Sequence, residues 1–168
     1  MAPEHDAVDR ILGQWAEVRP DLDSSPVGVV GRVSRLSRLI DRVLADSFAR
    51  HDLESWMYDV LATLRRSGPP YELTAGDLVG QTMVTSGAIT NRIDRLAALG
   101  LVERAGSEDR RKVIVRLTEE GRSLVDRVVP DHLDTERGIL APLSDRQQEE
   151  LARLLRKLLV GLGDVSPE

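Results

Sequence analysis

The chain has 168 residues, of which 41% are hydrophobic and only 3% aromatic, so its core must be built from aliphatic side chains. It contains no cysteine, which excludes disulfides, thiolate metal sites and thiol redox sensing. No apolar run approaches the roughly 20 residues of a membrane span. The acidic, polar N-terminus does not resemble a signal peptide, so we expect a cytoplasmic protein with no membrane partner.

The charge of the chain is distributed unevenly. The net charge of −5 argues against general affinity for nucleic acid. Between positions 80 and 116, however, seven cationic residues stand against four anionic ones. Phosphates interact with the local charge of a surface and not with the net charge of the chain. This segment therefore predicts a nucleic-acid-binding surface in an otherwise acidic chain. A solvated charged face is the alternative interpretation.

Apolar residues at helical spacing predict three helices over about residues 5–18, 25–50 and 53–66. Ser25 and Pro26 are predicted to open the second helix, as an N-cap followed by a proline at the first helical position. Trp56 belongs to the apolar stripe of the third helix, which a Ser-Gly-Pro-Pro run then stops.

Two short helices and a hairpin are predicted to follow. Thr74 with Asp77 resembles a capping box for the first, Thr85 or Ser86 is the N-cap of the second, and a glycine at position 100 ends it. Two short helices joined by a tight turn are a helix-turn-helix candidate. The alternating segments 101–105 and 112–117 flank a polar loop, which predicts a β-hairpin wing directly after it.

Two further helices are predicted at the C-terminal end. The first begins at Thr118 and runs to about residue 139, and Ser144 with Gln147 forms a capping box for the second, which has a leucine face. The helices at both ends of the chain therefore carry strongly apolar faces. Such faces pack within the chain or form a two-fold dimer, and a two-fold dimer suits palindromic DNA.

The middle of the chain resembles the MarR family of winged-helix regulators. The resemblance is carried by LTAGDLVGQTMVTSGAITNRIDRLAALGLVER and by EDRRKVIVRLTEEG, and the helix order extends it over nearly the whole chain. It implies a mainly α fold with a small β-hairpin wing: N-terminal helices over 1–52, a winged helix-turn-helix over 53–117 and C-terminal dimerisation helices over 118–168. The segments MVTSGAITNRIDRL and YDVLATLRRSGPPY, with a Trp-bearing first helix, are similar to the urate-responsive PecS-like branch.

The second short helix is expected to read base edges in the major groove. With the isoleucines and leucine of its stripe buried, its outer face presents Gly87, Thr90, Asn91 and Arg95. Asp94 is anionic, so we expect it to pair with a neighbouring arginine and not with phosphate. The residue preceding this face, Ser86, donates to DNA or is a simple N-cap.

The resemblance assigns roles in the wing. It implies that Arg111 enters the minor groove, whose enhanced negative potential attracts arginine, and that Asp109 orients it by an ion pair. Arg110 and Lys112 are expected to face phosphates. The alternative for this run is an ordinary solvated loop.

The branch resemblance also implies a ligand site made of Trp15, Asp59 and Arg92. A flat anionic heterocycle can stack on the tryptophan, pair with the arginine and donate ring N–H groups to the carboxylate. Trp15 as dimer core and an Asp59–Arg92 structural ion pair are the alternatives. Whether Arg95 faces DNA or this pocket stays open.

The sequence thus predicts a homodimeric, ligand-responsive DNA-binding regulator, expected to be a repressor, that binds a pseudo-palindrome with half-sites about 10 bp apart and is released by urate or a similar small anion. A winged-helix module for protein–protein contact without specific DNA binding is the alternative. Motifs of nucleophilic, phosphate-loop or metal-dependent enzymes are missing, and no cofactor is expected. The acidic residues around His132 are typical of a solvated helix face more than of a metal site.

Overall fold

The structure, a computed structural model, describes residues 5–82, 89–106 and 113–165. Seven helices and three short strands lie in those ranges. They are α1 (Ala7–Val18), α2 (Ser25–Ala49), α3 (Ser55–Arg66), β1 (Glu72–Thr74), α4 (Ala75–Gln81), α5 (Ile89–Ala98), β2 (Val102–Ala105), β3 (Ile114–Leu117), α6 (Glu119–Leu140) and α7 (Asp145–Gly161). None of the helices described here is long and apolar enough to cross a membrane.

The chain divides into two compact units, Met1–Asp46 and Ser47–Glu168. In the first unit, the Asp6 side chain caps α1 by accepting from the backbone N–H groups of Val8 and Asp9, at 2.7 and 3.1 Å. Arg32 on α2 donates to both carboxylates, at 2.7 Å to Asp6 and 2.6 Å to Asp9. The α1 cap is therefore also the ion-pair contact that joins α1 to α2.

Helix starts differ from the predicted ones by one or two residues. Helix α2 begins at Ser25 itself, and Asp23 Oδ1 accepts from the Ser25 N–H at 3.0 Å, so the serine is inside the helix and is not its N-cap. Helix α3 begins at Ser55 because Glu54, with φ −85° and ψ 151°, is the extended N-cap residue. Differences of this size are normal at helix ends.

The core of the second unit is aliphatic, as the composition requires. Its fully buried side chains come from α3, α4, α5, β3 and α6, and the largest of them are Leu61, Leu64, Leu78, Ile93, Leu96, Val60, Val115, Val125 and Val128. Four helices and a sheet thus share one apolar interior, which holds α5 by one face.

The sheet has three antiparallel strands in the order β1-β3-β2, so the wing contains one strand more than the predicted hairpin. Strand β1 pairs with β3 through Glu72 opposite Arg116, and β2 pairs with β3 through Glu103 opposite the same arginine. The predicted hairpin of β2 and β3 is confirmed.

Three of the predicted caps are confirmed. Thr74 Oγ1 accepts from the Asp77 N–H at 3.1 Å and caps α4, and Thr118 Oγ1 accepts from the Gly121 N–H at 3.0 Å and caps α6. The Gln147 side chain accepts from the Ser144 N–H at 2.9 Å at the start of α7. These local hydrogen bonds fix where α4, α6 and α7 begin.

Candidate nucleic-acid interface

The two short helices α4 and α5 form the helix-turn-helix, and α5 is held by one apolar face. Ile89, Ile93 and Leu96 are buried, with at most 6% of each side chain exposed. Thr90 and Asn91 are exposed, as predicted for the outer face. The positions of Ser86 and Gly87, predicted to begin this surface, lie outside the described residues.

Asp94 pairs with an arginine, as its charge predicted. Arg104 Nη2 on β2 donates to Asp94 Oδ1 on α5 at 2.6 Å. This ion pair joins a strand of the wing sheet to the second helix of the helix-turn-helix. It also neutralises the one carboxylate of α5 that would repel phosphate.

Arg95 lies against α3 in this structure. Its Nη2 atom donates to Glu54 Oε1 at 2.6 Å, and its guanidinium carbon lies 4.8 Å from the centre of the Trp56 ring. Both charged side chains are 56% exposed. The sequence left open whether Arg95 faces DNA or the ligand pocket. Its described contacts are with Glu54 and Trp56 on α3. A contact between Arg95 and DNA remains a prediction.

Trp56 differs from its prediction as a member of the apolar stripe. It is only half-buried, its Nε1–H donates to Glu54 Oε2 at 2.8 Å, and two guanidinium groups lie over its ring. The second of these belongs to Arg92, at 5.4 Å from the ring centre. Trp56 therefore organises a polar cluster on α3 and α5, stabilised in part by cation–π attraction.

Two features of this cluster concern charge. The hydrogen bonds from Trp56 and Arg95 hold the pKa of Glu54 below its usual value, so its carboxylate is ionised near neutral pH. Arg92 Nη1 is buried and has no hydrogen-bond partner within the described part of the chain. A bound anion would stabilise such a buried, positively charged group by accepting a hydrogen bond from its unpaired donor.

The wing sheet neutralises another cation. Arg116 lies between two carboxylates, with Nη2 2.6 Å from Glu72 Oε2 and Nη1 3.6 Å from Glu103 Oε1. Arg95, Arg104 and Arg116 are thus each paired with a carboxylate. Within residues 89–106 and 113–116, Arg92 is the one cation for which no ion pair is seen. The remaining cationic residues of the basic segment are Arg110, Arg111 and Lys112, which with Asp109 lie outside the described residues.

The residues predicted to bind a ligand are divided between the two units. Trp15 is on α1 and its side chain is 44% exposed, so a ring face is open to stacking. Asp59 on α3 and Arg92 on α5 are both half-buried in the second unit. Asp59 follows Trp56 by about one turn of α3.

An aromatic cluster around His132 was not anticipated. The predicted solvated face is wrong for this residue, whose side chain is 14% exposed. Its ring stacks on Phe48 at 5.3 Å and lies tilted against Tyr58 at 4.6 Å between ring centres. Burial raises the pKa of Tyr58 to about 12. No group of three acidic or histidine side chains that could hold a metal occurs in the ranges that the structure describes.

The fold and the exposed second helix define a winged helix-turn-helix protein. The MarR family model matches residues 51–112. The chain is 42% identical over 152 residues to the HTH-type transcriptional regulator PecS of Dickeya dadantii. The aligned region covers 90% of this chain and 92% of that protein. The chain therefore belongs to the MarR family of transcriptional regulators, and this identity supports the PecS-like branch.

Two solved structures are similar over most of the chain. A MarR mutant from E. coli in complex with operator DNA has a TM-score of 0.71 and 25% identity, covering 86% of this chain and 97% of that one. BpsR of Bordetella bronchiseptica, whose DNA binding is regulated by 6-hydroxynicotinic acid, has a TM-score of 0.71 and 26% identity, covering 82% and 94%. These relatives are regulators of transcription and not enzymes.

Proposed function

We propose that this protein is a homodimeric, sequence-specific DNA-binding repressor that is released from its operator by a small anionic, flat metabolite. The observation that carries the proposal is the disposition of α5: one face is anchored in the core while Thr90 and Asn91 stand exposed on the other. A helix presented in this way can enter a major groove, where hydroxyl and amide groups read base edges. We propose that it acts in the cytoplasm, where a DNA-binding regulator of this family meets its operator.

The dimer is proposed from two exposed apolar surfaces, one on each of α2 and α7. Side chains that repeat at helical spacing are between 43% and 58% exposed; they are Val29, Val33, Leu36 and Val43 on α2, and Leu154, Leu158 and Leu159 on α7. Contiguous apolar surface of this kind marks an interface. A two-fold dimer would present two α5 helices to half-sites about one helical turn apart.

The wing is proposed to make the second DNA contact. Arg111 inserts into the minor groove and Asp109 orients it, while Arg110 and Lys112 contact phosphates. The similarity to MarR bound to operator DNA supports this arrangement. Because Arg95, Arg104 and Arg116 are already paired with carboxylates, the wing tip supplies most of the remaining positive charge of the segment.

The ligand is proposed to be urate or a chemically related flat anion that uses Trp15, Asp59 and Arg92. Arg92 Nη1, buried without a hydrogen-bond partner among the described residues, would gain one from a ligand oxygen. Trp15 offers an exposed ring for stacking, and Asp59 accepts ring N–H groups. Regulation of BpsR by 6-hydroxynicotinic acid, another flat aromatic compound, supports this chemistry.

The proposal is tested by fluorescence anisotropy of labelled duplex DNA from immediately upstream of the protein's own gene, titrated with and without urate. Tight binding that urate weakens supports both the repressor and its ligand. Tight binding that urate leaves unchanged rejects urate and retains the DNA function. Absence of specific binding at moderate salt rejects the repressor and favours a winged-helix module for protein contacts.

The role of Arg92 has its own test. Arg92→Ala removes the group that is proposed to capture the ligand anion, so urate should no longer release DNA from this variant. If Arg92→Ala binds urate with wild-type affinity and releases DNA normally, Arg92 is not a ligand residue. Arg104→Ala, on the neighbouring strand, is a control for loss of an arginine near α5: it leaves Asp94 unpaired and so weakens DNA binding, but urate should still release it from DNA.

A further inference from the structure

The ion pair between Arg95 and Glu54 joins α5, the helix proposed to read DNA, to the N-cap residue of α3. Arg95 Nη2 and Glu54 Oε1 are 2.6 Å apart, and Arg95 makes no other hydrogen bond among those that the structure describes. Both side chains are 56% exposed, so water and ions reach the pair. Exposed ion pairs of this type contribute little to stability, so a competing anion can displace one partner.

The position of Arg95 on α5 gives its guanidinium two destinations. Successive residues of a helix are about 100° apart, which places the Cα of Arg95 between that of exposed Asn91 and that of half-buried Arg92. It is therefore at the flank of the outer face and not on the buried side. A long arginine side chain at such a flank reaches either back to α3 or outward to a phosphate.

Trp56 orients the Glu54 carboxylate toward this guanidinium. Its indole N–H occupies Glu54 Oε2 at 2.8 Å, which leaves Oε1 oriented toward Arg95. Its ring lies under the Arg95 guanidinium at 4.8 Å, which adds cation–π attraction. The hydrogen bonds from Trp56 and Arg95 lower the pKa of Glu54, so its carboxylate keeps its negative charge at neutral pH.

We propose that Glu54 and Trp56 hold Arg95 in a resting position and that a DNA phosphate takes the place of the Glu54 carboxylate when α5 binds DNA. Glu54 is then a positioning residue that lowers DNA affinity without contacting DNA, because its ion pair must break before Arg95 can bind phosphate. This inference rests on the proposed DNA-binding function, since it needs α5 to approach a duplex.

The experiment is a double-mutant cycle on DNA affinity with wild-type protein, Glu54→Gln, Arg95→Ala and the double variant. The probe is a duplex enriched from random sequence by the full-length wild-type protein. Glutamine keeps an oxygen for the Trp56 N–H but removes the charge that holds Arg95. We expect Glu54→Gln to bind about two- to fivefold more tightly, a gain of the size that an exposed ion pair supplies. The gain should vanish in the Arg95→Ala background.

Two controls separate this effect from others. Glu119→Gln also removes one carboxylate from an exposed ion pair, with Arg122 on α6, and should leave DNA affinity unchanged. Arg95→Ala should reduce the slope of log affinity against log salt by about one, as expected for one lost phosphate contact. In a Trp15→Phe background, Trp56 is the only tryptophan, so its fluorescence should change when DNA draws Arg95 from its ring.

The outcomes are distinct. If the wild-type protein enriches no duplex, the proposed function itself fails. If it does, weaker or unchanged binding by Glu54→Gln, a gain that persists without Arg95, or an Arg95→Ala variant with an unaltered salt slope each overturns the resting position while leaving DNA binding intact.

Discussion

Gly121 on α6 lies directly against the backbone of Leu101, the residue before β2. A Cβ atom at Gly121 would fall 2.9 Å from the Leu101 carbonyl carbon and closer still to its oxygen, so no other residue fits without movement of the backbone. Thr118 fastens the same junction, because its hydroxyl donates to the Gly100 carbonyl at 2.7 Å and accepts from the Gly121 N–H. The start of α6 is thus locked to the end of the helix-turn-helix.

Gly121→Ala is expected to destabilise the protein by about 1–3 kcal/mol, the usual cost of forcing atoms into a filled space. The measurement is the free energy of unfolding from urea titration, at one fixed protein concentration because unfolding of a dimer depends on it. Gly138→Ala is the matched control on the same helix, where a Cβ meets nothing within 4 Å. That variant should be neutral or more stable by about 0.5–1 kcal/mol, and equal effects of both changes would refute the close approach.

The contact of Asp6 with Arg32 predicts a pH dependence in the first unit. This contact, with the α1 cap, lowers the pKa of Asp6 from 3.8 to about 2. A carboxyl with a lowered pKa stabilises the folded state above its unfolded pKa and loses that effect as pH falls through the folded one. The stabilisation is therefore complete above about pH 4 and lost toward about pH 2.

Asp6→Asn isolates this charge, because asparagine also caps helices. Urea midpoints should be lower for the variant than for the wild type at pH 7 and 5, and the difference should shrink as pH falls below 4. Asp41→Asn, exposed on α2, is the control and should show no such trend. A difference that stays constant from pH 7 to pH 3 would show that the Asp6 charge has no part in stability.

Leu158 tests the apolar surface of α7. Its side chain is 50% exposed in a single chain, so a carboxylate introduced there would be buried and unpaired in the proposed dimer. Leu158→Asp should therefore be monomeric by size-exclusion chromatography with light scattering and should bind operator DNA much more weakly. Lys157→Asp, beside it but off the leucine stripe, should remain dimeric. A dimeric Leu158→Asp would place the interface elsewhere, and a monomeric wild-type protein would contradict the dimer itself.

Substitutions of Arg111 and Arg116 are expected to affect operator affinity differently, although both residues are cationic and lie in or near the wing. Arg111→Ala should lower operator affinity markedly and flatten its salt dependence, because the arginine proposed to enter the minor groove is lost. Arg116→Gln should leave operator affinity unchanged, because Glu72 and Glu103 already hold that guanidinium. Anisotropy titrations at several salt concentrations separate the two. Equal losses would mean that general charge, and not the wing tip, governs binding.

Local signals in the sequence predicted most of the fold. Helical spacing of apolar residues identified α1, α2, α3 and α7, and Thr74, Thr118 and Ser144 marked helix starts because a cap is a contact within three residues. Strand β1 was missed because its three residues, so soon after two prolines, are too few to show an alternating pattern.

The polar cluster on α3 could not be predicted in the same way. The spacing of Trp56 matches a buried stripe, but its surroundings are decided by Arg92 and Arg95, which are 36 and 39 positions further along the chain. Helical periodicity describes one helix at a time and carries no information on which side chains of another helix approach it. The charge of Asp94, in contrast, correctly predicted an arginine partner because an anion on a helix that is expected to face DNA requires neutralisation.

The most direct test of sequence-specific DNA binding is competition between two duplexes for the wild-type dimer, one from upstream of its own gene and one with the same composition in scrambled order. We expect the upstream duplex to bind at least about a thousandfold more tightly at physiological salt, as specific regulators do, with one dimer bound per site. Equal affinity for the two duplexes would contradict it, because the exposed side chains of α5 would then read no sequence.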